Sequence, residues 1–533
     1  MNLRILTASA AGAALLILGA AGCTDPTVKP KSTTAEGVVF ANQNAYQQLL
    51  AKVYAGLALS GQQGPAGNPD LAGLDEGFSQ YLRLYWELEE LPTDEAAIAW
   101  GDQGLQPMNM QTWDASNGFI TTMYSRIYYE IVLANDFLRL TTDAQIATNG
   151  GVSAAIHDSI QTYRAEARFL RALAYFHAID FFGNVPLVTA IGTTPPPQST
   201  RSDVYSFAVS ELTAIQSSLP KAGLSSSYGR ATDQAAEMLL AELYLNAGVF
   251  TGAPNWGGAM SAAQAVINSG AFSLASNFRL NFTADNNTSP EIIFQIPQDG
   301  LKEQSYGGVT FLEHAACGNS LSNTAIGIDG CWYGIRLKPQ GDSLFDTTAD
   351  HPVGDLRSGF FFTSGQSLGI ADLSQFGQGY LAPKYTNMTS TGGAPQNPAF
   401  ADTDFPVWRL AEAYLIFAEA ALRGGSTADS ATALTYVNLL RARAYGGASG
   451  NITKAQLTLP FVLAERGREL LWEAHRRTDL VRYGLFTGGT YLWAWKGGVV
   501  AGEATDACRD LYPFPTNELA ANPYLKQNLC TGY

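Results

Sequence analysis

Segments with apolar residues at helical spacing recur along most of this chain, in pairs separated by short turns. That recurrence limits the fold more than any other feature. The segment Arg164–Phe182 shows how strong it is. Arg164, Arg168 and Arg171 fall at i, i+4 and i+7 on one helical face; Phe169, Leu173 and Phe176 take the same spacing on another, and Leu170 and Ala174 widen that apolar stripe. Gly183 stands where a helix end favours positive φ, and Pro186 prevents continuation. Such a helix is expected to be buried scaffold with an arginine edge, and His177 within it a core histidine rather than a base. Similar periodicity predicts helices over Asn42–Leu57, Gly118–Leu140, Asp203–Leu219, Asp233–Ala247, Met260–Ser269, Pro406–Leu422, Ser430–Ala444 and Pro460–Tyr483. From about Phe272 to Phe400 the text turns Gly-, Ser-, Asn- and aromatic-rich, with short apolar runs such as Glu291–Gln295, and reads as loops with a few short strands. The expected fold is therefore mainly α: a solenoid-like stack of helix pairs, without a strict 34-residue repeat, carrying a loop-rich region.

The N-terminus points to export. Arg4 precedes the apolar run Ile5–Leu18, which is too short and too rich in Ala and Gly for a membrane span and reads as a secretory signal. It ends Leu18-Gly-Ala-Ala-Gly-Cys23, which resembles the lipobox of bacterial lipoproteins and makes Cys23 the expected lipidation site; the alternative is an ordinary signal peptide cut nearby. Residues 1–22 are then signal and 23–38 a flexible tether, Pro- and Thr-containing. The other cysteines, Cys317, Cys331, Cys508 and Cys530, form an even set in an exported chain and suggest two disulfides. Of three connectivities, Cys317–Cys331 with Cys508–Cys530 is the simplest. No spacing is CxxC-like, so zinc is not expected.

A net charge of -15 with no basic stripe disfavours nucleic acid. No HExxH, GxSxG, P-loop or GxGxxG context appears. Glu465, Glu469 and Glu473 with Arg468, Arg476 and Arg482 look like an acid/base cluster, but their helical spacing suits charge pairing along and between helices. Trp472, not Glu, lies three before His475, so the Glu-x-x-His pattern of di-iron bundles fails.

Several blocks, in order, resemble the SusD/RagB family of outer-membrane nutrient-binding lipoproteins. They include Arg164–Val188, Trp113 through Asn135, Gly229-Arg-Ala-Thr232 through Leu245, and Glu291-Ile-Ile-Phe294. Asp404–Leu415, Tyr436–Ala444, Glu465–Arg482 and the closing Leu511–Asn528 follow. The resemblance implies a scaffold of tetratricopeptide-like helix pairs, with residues 39–270 as an N-terminal helical region and 271–533 as a C-terminal region in one integrated fold. The latter divides into a loop-rich part (271–400), a helical part (401–485) and a closing segment (486–533). It further implies a non-catalytic protein, lipid-anchored at the outer membrane through Cys23 and facing the cell surface, that captures oligosaccharide or polysaccharide for a SusC-like TonB-dependent transporter. The alternatives are a peptide or glycopeptide ligand within the same family and, from another class, a surface glycoside hydrolase, which needs two carboxylates across a cleft. No cofactor is expected, and nothing in the sequence supports calcium.

A sugar site needs flat exposed rings for the C–H faces of pyranoses, with amides and carboxylates for their hydroxyls. The segment Leu91–Gln103 offers Trp100 beside Gly101, Asp102 and Gln103, and Thr93-Asp94-Glu95 resembles an element that family members carry before ligand-contacting loops. Cys331-Trp332-Tyr333 is the second candidate and Tyr81 a weaker one. Trp408 and Trp472 lie in helical blocks and are expected in the core, whereas Trp493 and Trp495 fit either role. In a loop, Trp100→Ala is expected to weaken glycan binding while leaving thermal unfolding nearly unchanged.

Overall fold

The computed structural model describes residues 39–40 and 42–533. The predicted signal and the whole tether, with Cys23, lie outside them. Within the described residues the expected mainly α architecture is present. The longest helix, Ala154–Phe182, contains Arg164–Phe182 as its fully packed part. Its rings are buried, and its arginine edge is tied to neighbours: Arg168 and Arg171 bind Glu211 at 2.8 and 2.5 Å, and Arg171 also donates to Asn135 at 2.6 Å. Gly183 ends the helix at φ +74°, where a Cβ would lie 2.7 Å from Leu511. His177 is a core residue: burial drives its imidazole down to about 3, Tyr81 Oη lies 2.8 Å from Nδ1, and Tyr85 stacks on the ring at 4.3 Å.

Helices pack in chain order on one flank. Gly118–Leu140 lies on Ala154–Phe182, which lies on Arg201–Ile215; Asp233–Leu245 pairs with Trp256–Asn268. The next helix in the stack is Leu410–Gly424, which contacts Trp256–Asn268 directly and is followed by Thr427–Ala444. The intervening loop-rich residues are thus an excursion from a continuous helical stack. An antiparallel strand pair closes its base: Ile292–Ile296 (β2) runs against Phe405–Arg409 (β4), with Ile292 opposite Arg409 and Ile296 opposite Phe405. Among the described residues, four short strands form two separate two-stranded sheets.

One predicted helix is broken. Instead of Pro460–Tyr483 there are two helices, Leu459–Leu470 and Arg476–Arg482, joined through Trp472 (φ +61°) and Ala474 (φ +62°). Tertiary partners take the backbone groups that a continuous helix would have used. The Trp472 carbonyl accepts from Trp86 Nε1 (3.0 Å) and Tyr385 Oη (3.2 Å), while the N–H groups of Trp472 and Ala474 donate to Glu95 (3.2 Å) and Glu90 (2.7 Å). Periodicity also missed the helix Tyr81–Glu90, whose acidic side chains are buried rather than solvated.

The Glu/Arg cluster is structural and lies in the core. Arg409 binds Glu291 (2.6 Å), Glu469 (2.9 Å) and Glu473 (2.6 Å), and Arg357 binds Glu465 and Glu469 at 2.9 Å, all six side chains being buried. Burial alone would raise the Glu465 carboxyl, but Arg357, Arg468 and Arg441 around it hold it down to about 2. Arg476 does not pair within its own block; it grips Asp94 through two hydrogen bonds of 2.8 and 2.7 Å. Trp408 and Trp472 are core residues as expected, and Trp493 joins them, fully buried.

Candidate functional site

Two distant stretches are brought together by the second strand pair. Ala96–Ile98 (β1) emerges from the Thr93-Asp94-Glu95 turn, which Arg476 clamps, and runs antiparallel to Ile335–Leu337 (β3). The ladder continues outward: Ala99 N–H donates to the Gly334 carbonyl at 2.9 Å, and Trp100 Nε1 donates to the Trp332 carbonyl at 3.0 Å. Gly334 permits this approach, because a Cβ there would lie 2.7 Å from the Trp100 indole. The disulfide Cys317–Cys331 ties down the loop immediately before Trp332, and Cys508–Cys530 ties the C-terminal segment.

A cleft of about 600 Å³ opens over this junction. Its walls are aromatic: Phe78 stands edge-on to Trp100 with centroids 6.2 Å apart, and Tyr306 leans on Trp332 at 6.2 Å. Arg83 lies in the floor, its guanidinium held between Phe78 (3.9 Å) and Phe311 (4.2 Å) and bonded through Nε to Glu87 at 2.9 Å. Burial pushes Glu87 up to about 7, against the pull of Arg83. Glu76 is committed to holding the wall: it accepts from Ser60 Oγ (2.6 Å), Ser305 Oγ (2.8 Å) and the Tyr306 N–H (3.1 Å). Asp75 and Asp102 supply exposed carboxylates at the rim. The arrangement suits a ligand with flat apolar faces and hydrogen-bonding edges.

Of the residues singled out from sequence, Trp100, Asp102 and Trp332 meet at this cleft. Gln103 faces an adjoining cavity instead. Tyr333 is exposed but packs against Phe376 at 5.2 Å, with φ +56°, and is not part of the cleft wall. Tyr81 is corrected to a core residue: it is 2% exposed and its hydroxyl is engaged by His177, so it has no surface to offer a ligand. Trp495 is half-buried, with Nε1 donating to the Ile370 carbonyl at 2.9 Å. Trp100 itself is partly buried and hydrogen-bonded, so its truncation has a packing cost that its loop position alone did not suggest. Phe78, Arg83 and Tyr306 were missed. The only signals in the sequence were the Asp75-Glu-Gly-Phe78 and Tyr306-Gly-Gly308 runs, neither specific.

Among the described residues one group has metal-ligand geometry: Glu242, Glu412 and His475, with ligand atoms within 4.8 Å of one another. It lies between scaffold helices, with Arg466 3.4 Å from Glu412. Burial and the neighbouring Glu242 hold the Glu412 carboxyl well above the usual carboxylate range.

A family model described as the SusD family matches residues 344–533, and one described as starch-binding, associating with outer membrane, matches 81–245. The starch-binding protein SusD of Bacteroides thetaiotaomicron is 32% identical, over 90% of this chain and 91% of that protein. This chain belongs to the SusD family. Solved SusD-family folds superpose along most of its length. A SusD homolog from B. thetaiotaomicron gives a TM-score of 0.70 at 20% identity, covering 93% of this chain and 99% of that one. Surface glycan-binding protein A from the same organism, solved with laminarihexaose, gives 0.68 at 20% identity, covering 91% and 98%. In this SusD-family chain the most recognisable segments, Arg164–Val188 and Glu465–Arg482, are largely buried scaffold, and neither lines the aromatic cleft.

Proposed function

We propose that the Trp100–Trp332–Tyr306 cleft is a glycan-binding site and that the protein captures oligosaccharide at the cell surface without cleaving it. The observation that carries this is the pinning of three large rings around one open cleft by β1–β3 pairing, the Trp100–Trp332 hydrogen bond and the Glu76 bracket. Rings held before the ligand arrives lose little entropy on binding. The starch-binding relative, 32% identical along nearly the whole chain, makes α-glucan the first ligand to try. A non-catalytic role is supported by the Glu76 carboxylate, whose three hydrogen bonds commit it to architecture rather than proton transfer. Family membership supports delivery to a SusC-like TonB-dependent transporter and a lipid anchor at Cys23 on the outer membrane.

The test is a binding panel on soluble protein lacking residues 1–23, with maltooligosaccharides, starch, laminarin and a peptide control, alongside a turnover assay on the same glycans. Saturable glycan binding without product release is expected. Steady product release abolished by a single carboxylate substitution would overturn the reading, as would binding to peptide alone.

A further inference from the structure

Next to the aromatic cleft lies a second cavity of about 540 Å³. The two share Asp75, Phe78 and Asp102 as common lining, so they are separated by one ridge rather than by the body of the protein. Asp75 and Phe78 make one part of that ridge and the turn Gly101-Asp102-Gln103-Gly104 the other. Gly101 has open space on its side-chain face, and Gly104 takes φ +93°, which lets the turn reverse tightly between the cavities. Asp102 and Gln103 are exposed on it, and among the described residues neither side chain has a hydrogen-bond partner.

The linings differ in a complementary way. The first cavity presents rings; the second presents Gln103, Thr112, Asp114 and Ser116, with Asp114 bonded to Ser116 Oγ at 2.6 Å. Rings grip the apolar faces of sugars, whereas adjacent carboxylates, amides and hydroxyls bind the diol edges. A single occupant that needs both, and that continues across a narrow ridge, is a chain of linked sugar rings.

We propose that the polar cavity is a second subsite for the same glycan, so that the protein selects chains long enough to cross the Asp102–Gln103 ridge over short fragments. This rests on the glycan reading of the aromatic cleft. Its consequence is a length dependence, because the second contact is made by a ligand already held at the first and costs little additional freedom.

The experiment compares maltotriose with maltooctaose, or the corresponding pair from whichever glycan the panel selects, by calorimetric titration of the mature chain. Two variants alter only the second cavity: Gln103→Ala removes the ridge amide, and Ser116→Tyr fills the space from an exposed position. Wild-type affinity is expected to rise at least about tenfold from the short to the long chain. Both variants should lower long-chain affinity by about fivefold or more while leaving short-chain affinity within about twofold. No gain with length, or a gain that survives both variants, would overturn the second subsite. A short chain that binds and is lost in Tyr306→Ala keeps the aromatic cleft intact as a site in either event. Absence of binding by both chains would instead sink the glycan reading itself.

Discussion

Trp100→Ala separates a ring that holds ligand from a ring that only fills space. Truncation removes the hydrogen bond to the Trp332 carbonyl and the contacts with Phe78 and Phe311, whose centroids lie 6.2 and 5.8 Å away. Taking roughly 100 Å² of apolar ring surface returned to water at about 25 cal/mol per Å², with about 1 kcal/mol for the hydrogen bond, the expected loss is about 3 kcal/mol. For a chain of 533 residues the unfolding entropy is on the order of 1 kcal/mol per kelvin, so the melting temperature should fall by about 3 °C. Affinity should fall much further, by about 30-fold or more, the range of an aromatic hot spot in a pre-formed pocket. Tyr306→Ala is the companion variant. The residue is 41% exposed, so its truncation should lower the melting temperature by about 1 °C or less and still cost about tenfold in affinity. Differential scanning fluorimetry and calorimetric titration, both on the soluble protein and with titration well below the transition, give the two readouts. If Trp100→Ala loses about 3 °C but binds within twofold of wild type, the ring is packing material and the reasoning fails. If Tyr306→Ala also binds normally, the cleft is not the site.

Arg409→Met should cost about 3–5 kcal/mol in urea unfolding, because Glu291, Glu469 and Glu473 stay buried after their shared cation is removed; Lys302→Met, an exposed lysine paired with Asp299, should cost no more than about 0.5 kcal/mol. Equal costs would show that the buried lattice is not a stability determinant. The same lattice sets an acid limb. Glu465 is held below its unfolded value, so the unfolded chain binds the extra proton between about pH 4.5 and pH 2, and stability should fall as pH drops through that window. A flat profile from pH 4.5 to 2 would contradict the assignment. Replacing Cys317 and Cys331 together by Ser should weaken glycan binding more than it lowers the melting temperature, since that bond restrains the Trp332 loop; unchanged affinity would assign the disulfide to stability alone.

The scaffold was legible because its information is local. Arg164–Phe182 announces its buried face within its own turns, and the structure uses that face as written. Local rules fail where a distant partner takes over the backbone. The Trp472–Ala474 break is invisible to periodicity because Trp86, Tyr385, Glu90 and Glu95 cause it from elsewhere in the chain. Tyr81 misled for the same reason. An aromatic ahead of a candidate loop looks available until His177, 96 residues away, takes its hydroxyl. The cleft is harder still, since Phe78, Trp100, Tyr306 and Trp332 come from segments that share no spacing rule and meet only through the β1–β3 ladder and the Glu76 bracket.

That ladder also explains how buried family-pattern residues bear on ligand capture without touching ligand. Arg476 follows the Trp472–Ala474 break, and its guanidinium binds Asp94 through two hydrogen bonds, two residues before β1 begins. Burial would raise the Asp94 carboxyl, yet Arg476 and Tyr491 hold it below its usual value, so the clamp is an ionised pair and not a shared proton. β1 leaves that clamp in a fixed direction and register, with Ala96 opposite Leu337, and Trp100 follows two residues after its end. A shift of one residue there would turn alternate side chains to the other face and carry the indole away from the Trp332 carbonyl. The helical break is therefore the scaffold's contribution to the cleft: it presents the arginine that sets the strand that aims the ring.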